Sequence, residues 1–124
     1  MLDFDLVGLA GMANDVYVGC TYYLHLQGLG KNSDIVLKYF ARAQELIDIL
    51  KELTSSKFSR YLFWGNSTED IQKTLEWFKE TVIPGILTGT ASADEVRVLR
   101  SFADTVATKI LFRTSAAKFE GGVY

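Results

Sequence analysis

The tetrapeptide Ser92-Ala93-Asp94-Glu95, with the apolar steps that follow it, constrains this chain more than any other stretch. A serine followed three residues later by a glutamate is a capping box. The hydroxyl accepts from the N3 amide, and the carboxylate reaches back to the N-cap amide. Val96, Leu99, Ala103, Val106 and Ile110 then recur at steps of three and four. That spacing predicts a helix with a narrow apolar seam, the kind one helix lays against another. A seam so narrow cannot enclose a core alone, so the rest of the chain must bring further helices to it.

Those helices are legible in the pattern. Ile35, Leu37, Tyr39, Phe40, Ala43, Leu46, Ile47, Leu50 and Leu53 recur at helical spacing and predict one helix from Asp34 to Leu53. Ser33 can cap it, and Asp34 suits the positive end of the helix dipole. A short helix is expected from Lys57 to Trp64, ended by Gly65. Another opens at Ser67, where Asp70 three residues on resembles a capping box and Thr68-Glu69-Asp70 puts acids in the first turn. Ile71, Leu75, Phe78 and Val82 are its core stripe, and Pro84-Gly85 is its expected stop. The last helix fades near Ala116.

The first segment supports two readings. As a helix, Val16, Cys20, Tyr23 and Leu24 share a face, and Gly8, Gly11 and Gly19 allow close approach of neighbours. As a strand, Val16, Val18, Cys20, Tyr22, Leu24 and Leu26 alternate with Tyr17, Gly19, Thr21, Tyr23, His25 and Gln27, and many of these types favour strands. A strand needs a partner, and the other candidate, Tyr61 to Trp64, is four residues long, so helix is preferred for residues 14–27. The expected fold is all-α: a single-domain bundle of four to five helices over residues 1–118, with residues 119–124 a flexible tail. At 124 residues, 48 % hydrophobic and 13 % aromatic, the chain suits one domain with one sizeable core.

Several classes of function fit poorly. Cys20 is the single cysteine, so no disulfide forms within the chain. Asp3 and Asp5 stand where a signal peptide carries bases, and Asn66-Ser67-Thr68 reads better as a helix start than as a glycosylation site. Residues 6–30 lack Lys and Arg, but Asp15 and His25 interrupt them. An aspartate at mid-membrane costs about 2.5–3.5 kcal/mol, so a buried core segment is expected, in a cytoplasmic protein. The loop Leu24–Asp34 contains Gly30-Lys31, but a phosphate-binding P-loop needs glycine where His25 stands and a hydroxyl where Asn32 stands. A dinucleotide fingerprint needs glycine at Ser33.

Catalytic constellations are equally hard to assemble. His25 is the sole histidine, and Cys20 five residues earlier shares no helix face with it. An Arg-x4-6-His nuclease motif has no arginine to start from. Glu69, Asp70, Glu76 and Glu80 lack the Glu-x-x-His pairs of a di-iron bundle and read as a solvated face, with Lys73 pairing to Glu76 or Glu80. No enzyme, cofactor or metal is expected.

Charge is more informative. The net charge is −2, yet residues 51–60 carry three bases against one acid and residues 97–124 five against two. Lys51, Lys57 and Arg60 flank an aromatic run with Tyr61, Phe63 and Trp64. Arg97, Arg100, Ser101, Asp104 and Thr108 fall on the last helix opposite its seam, where Arg100 can pair with Asp104. Lys109 and Arg113 fall to the side of that face, and Lys118 lies beyond. Cations for phosphates and aromatics for bases are what sequence-tolerant nucleic-acid contact requires. A chain of net −2 would bind weakly alone, but it can contribute to an assembly whose other subunits supply positive charge.

The chain's size, acidity, helix count and basic last helix resemble the small subunit of archaeal type I-A CRISPR effector complexes. The run FARAQELIDILKELTSSKFSRYLFW has a similar thermophilic archaeal wording. The resemblance is architectural and covers the whole length. It implies a non-catalytic helical bundle that joins other protein subunits and touches RNA or single-stranded DNA through phosphates. The implied contacts are Lys51, Lys57, Arg60, Arg97, Arg100, Lys109, Arg113 and Lys118. The rival expectation is a helical scaffold without nucleic acid, whose Val96–Ile110 seam pairs with another helix, as in a homodimer.

Overall fold

The structure, a computed structural model, describes residues 6–26, 34–54 and 68–120, with side chains given for 7–26, 34–54 and 69–109. The expected helix from Lys57 to Trp64, Ser67 as a cap, the Gly28–Ser33 turn and residues 121–124 lie outside the described residues. Within them the chain is all-α, with no strand. In chain order the helices are α1 (Leu6–Leu26), α2 (Asp34–Tyr39), α3 (Ala43–Leu53), α4 (Thr68–Trp77), α5 (Ile83–Thr88) and α6 (Ala93–Glu120). A five-residue π turn, Phe78–Val82, joins α4 to α5.

The ambiguous first segment is helical through Leu26. Leu9, Met12, Ala13, Val16, Cys20 and Tyr23 step by three and four and are all buried. A face of that period satisfies a helix's packing while its backbone is paired internally, whereas a lone strand would leave its amides unmatched. The face packs along α6, the principal helix pair of the molecule. The α6 seam is as expected: Val96, Leu99, Ala103 and Val106 are buried, and the side chain of Ile110 lies outside the described residues. Small buried residues recur on both helices, Ala10, Ala13 and Cys20 on α1 and Ala103 and Ala107 on α6. Small contact residues let helix axes approach closely. The tyrosine hydroxyl of Tyr23 donates to the Ala91 carbonyl at 2.9 Å, tying α1 to the segment that enters α6.

The capping box forms as predicted. The Glu95 amide donates to Ser92 Oγ at 3.2 Å, and the Ser92 amide donates to Glu95 Oε1 at 2.9 Å. The helix extends past Ala116, its expected limit, to Glu120.

Two expectations about helix boundaries need correction. The helix over 34–53 is broken at Phe40–Arg42, where Arg42 leaves helical geometry at φ −114° and ψ 15°. The buried face nevertheless keeps its phase across the break, with Val36 and Phe40 in step with Ala43, Ile47 and Leu50. Val36 and Phe40 turn inward, while Ile35 and Leu37, expected in the core, are exposed. The end of α2 meets α1 at Gly19. A Cβ there would lie 2.7 Å from the Phe40 ring and 3.0 Å from Tyr39 Cβ. The absent side chain is the space into which Phe40 packs.

The second correction concerns Pro84-Gly85, which does not end the fourth helix. Ile83 donates to the Phe78 carbonyl across five residues, the wide register of a π turn. Pro84 then sits in the first turn of α5, where a missing N–H leaves nothing unpaired. The stop comes at Gly89, in the left-handed region at φ 76°. Gly89 N donates to Ile86 O at 3.2 Å and Thr90 N to Gly85 O at 2.7 Å, the paired bonds of a Schellman cap. The stripe Ile71, Leu75, Phe78 and Val82 is buried as expected, with the Phe78 ring 5.1 Å from that of Phe102 on α6. Thr54, the buried polar residue of the core, is satisfied. Its hydroxyl donates to the Lys51 carbonyl at 2.6 Å and accepts from Gln72 at 3.2 Å.

Gly11 of α1 has nothing within 4 Å of where a Cβ would stand, in contrast to Gly19. Gly11→Ala is therefore expected to stabilise the protein by about 0.5–1 kcal/mol, the ordinary helix-interior gain. Gly19→Ala is expected to destabilise it by about 1–3 kcal/mol through overpacking on Phe40. Urea unfolding of both variants checks the pair, and equal effects would contradict the close approach at Gly19.

Candidate nucleic-acid interface

α6 presents its bases at several angles. At about 100° per residue, Arg100 and Lys109 lie roughly 180° apart, on opposite flanks of the seam. Arg97 is exposed and pairs with Asp94 one turn earlier at 3.1 Å. Lys109 is half-buried. Arg113 and Lys118 are on the helical backbone of α6, with side chains outside the described residues. Lys51 is half-buried in the last turn of α3, one turn after Asp48. Asp48 in turn pairs with Lys79 of the π turn, so the structure brings Lys79, which the sequence pattern did not single out, to the same side of the molecule as Lys51. Lys57 and Arg60 lie outside the described residues.

Arg100 is differently placed from the polar-face residue expected. It is half-buried, its guanidinium carbon stands 5.0 Å from the centre of the Tyr17 ring, and Nη2 donates to the Tyr17 hydroxyl at 3.1 Å. Its partner is Tyr17 of α1 rather than Asp104, because the seam's flank turns it toward α1. Arg100 is thus a clasp between α1 and α6. Cys20 lies within its field. Burial pushes the Cys20 thiol up to about 12, and the Arg100 charge opposes that rise only in part. Cys20 is therefore a neutral core side chain, as its type suggested.

The acids behave as a solvated face, with one change of partner. Lys73 pairs with Glu69 at 3.3 Å rather than with Glu76 or Glu80. Among the described residues no group of three His, Cys, Asp or Glu side chains could hold a metal ion. His25 is exposed.

A further feature escaped the sequence pattern. Tyr22 of α1 and Tyr39 of α2 stack with ring centres 5.8 Å apart and planes 12° from parallel. The Lys38 ammonium stands 5.9 Å from the centre of the Tyr39 ring. Tyr22 is 38 % exposed, so this stack is at the surface. Periodicity had assigned Tyr39 to the core with Phe40. In the structure Phe40 is buried and Tyr39 is only half-buried, at the edge. Arg42, beside the stack in sequence, is committed elsewhere. It donates to both carboxylate oxygens of Glu45 at 3.0 and 3.2 Å, which raises the arginine's pKa and lowers the glutamate's.

Comparison of the chain with protein-family models, with curated proteins and with solved structures gives no match.

Arg100 and Arg97 of α6 should differ in how much their truncation costs. Arg100→Ala is expected to cost about 1–2 kcal/mol of folding stability, from the lost ring contact and hydrogen bond to Tyr17. Arg97→Ala should cost about 0.5 kcal/mol or less, as for an exposed ion pair. Thermal and urea unfolding distinguish them. In the same samples Cys20 should react with Ellman's reagent only in denaturant, and rapid reaction in native buffer would contradict its burial.

Proposed function

We propose that this chain is a non-catalytic helical subunit of a multi-subunit nucleoprotein complex, of the CRISPR-interference small-subunit type, that contacts nucleic-acid backbone without sequence preference. The observation that carries this reading is the continuity of α6. Its 28 residues form one helix, about 42 Å long at 1.5 Å per residue, bearing Arg97, Arg100, Lys109, Arg113 and Lys118. Besides Arg100, which is clasped to Tyr17, the helix carries Arg97, Lys109, Arg113 and Lys118 at spaced positions, anchored by its seam. At about 100° per residue those positions are distributed around the helix axis instead of along one stripe, which suits attraction to phosphates by charge and offers no fixed register for reading bases.

Burial of the seam favours this reading over a scaffold that pairs through it. Val96, Leu99, Ala103 and Val106 are buried against this chain's own α1, so that part of the seam is not available to a partner helix. No helix among the described residues is long and apolar enough to cross a membrane.

Two measurements test the proposal. Affinity capture of the native protein from its own cells should recover other proteins together with a short RNA, and nuclease should release part of that set. In titrations of labelled single strands, Arg97→Ala with Arg113→Ala should weaken binding evenly across sequences and lower the log–log salt slope by roughly 0.7 per lost contact. Recovery of the protein alone, unaffected by nuclease, would overturn the proposal, as would a salt-independent affinity.

A further inference from the structure

We infer that the Tyr22–Tyr39 stack, with the Lys38 ammonium beside it, is a base-stacking site for single-stranded nucleic acid. The inference rests on the nucleic-acid reading above and adds to it a different kind of contact on different helices.

Three observations point to this ligand chemistry. The first is pre-organisation. Gly19 draws α2 onto α1, with Tyr39 Cβ 3.0 Å from the position a Gly19 Cβ would take. Tyr22 stands one turn after Gly19, so the close approach that seats Phe40 also sets the two tyrosine rings parallel. A flat π surface held by backbone packing loses little entropy when a base lies on it.

The second is exposure without a core role. Phe40 and Tyr23 fill the adjoining interior at 3 % and 6 % exposure, whereas Tyr22 is 38 % exposed.

The third is charge. Of the nearby acids, Glu45 is bound by Arg42, and the Asp15 carboxylate also lies within the field of that arginine. Asp34 occupies the first turn of α2, where the dipole favours it. Lys38 forms no ion pair among the described residues, and its ammonium lies over a ring. It is a cation at the edge of an aromatic platform, the combination that holds a base by its face and the neighbouring phosphate by its charge. A duplex, whose bases are already stacked inside, cannot use it.

The experiment compares labelled oligouridylate with a strand of equal length and charge in which the bases are replaced by abasic sites, and with a hairpin duplex. Fluorescence anisotropy is followed to protein concentrations on the order of hundreds of micromolar, the weak end of non-specific binding. The wild-type protein should prefer the intact strand to the abasic one by roughly ten-fold, the scale of one base stacked on one aromatic. Tyr22→Ala should erase that preference, Tyr22→Phe should keep it, and Lys38→Ala should weaken both strands alike. Circular dichroism and thermal unfolding verify that each variant is folded, and the comparison of strands on the wild-type protein requires no variant. Equal binding of intact and abasic strands overturns this inference while leaving the phosphate contacts of α6 standing. Binding of neither strand overturns both.

Discussion

The pairing of α1 with α6 is the constraint on which the rest of the structure depends. Each helix is too narrow in its apolar face to be stable alone, and a single helix in water is marginal at best. Laid together, their alanines and Cys20 close the gap between them. Everything else is placed relative to that pair. α2 is drawn against α1 at Gly19, and the π turn presses Phe78 toward Phe102 of α6. At the edge, Arg100 over Tyr17 and Tyr23 onto the Ala91 carbonyl fix the two helices in register. Both edge contacts join residues far apart in sequence and engage polar groups without leaving one unsatisfied.

That arrangement separates two uses of the same residue types. Arginines on one helix divide into a clasp, Arg100, and an exposed, rim-type charge, Arg97. Tyrosines divide similarly, into Tyr17 and Tyr23 that bind α6 and the segment leading into it, and Tyr22 that remains at the surface. The division follows from angle. On a helix, consecutive residues are separated by about 100°, so Tyr22 and Tyr23 face different surroundings although they are neighbours in the chain.

Much of the fold was legible because it is written locally. The capping box at Ser92, the period of the α6 seam and the stripe Ile71–Val82 depend on residues within a few turns of one another, and each appears as its spacing implied. The misreadings concern where regular helix is interrupted and how wide its buried face is. The buried stripe through Val36, Phe40, Ala43, Ile47 and Leu50 is narrower than the apolar pattern suggested, which leaves Ile35 and Leu37 outside it. The π turn at Phe78–Val82 carries the chain on, so Pro84 begins a helix instead of ending one. Of the basic residues, their positions along α6 could be read in advance. The commitment of Arg100 could not, since its partner Tyr17 is contributed by another helix.

By itself, then, the sequence determined that this chain is built from helices, where the last of them begins, which residues form its seam, and that Cys20 is a core residue. These follow from hydrogen bonds and burial repeated every few residues. Only the tertiary structure decided that the seam closes on the chain's own first helix, that Gly19 admits Phe40, that Arg100 is a clasp, and that Tyr22 and Tyr39 meet. Each of those is a contact between residues distant along the chain, selected by which helix faces fit together once all of them must share one core.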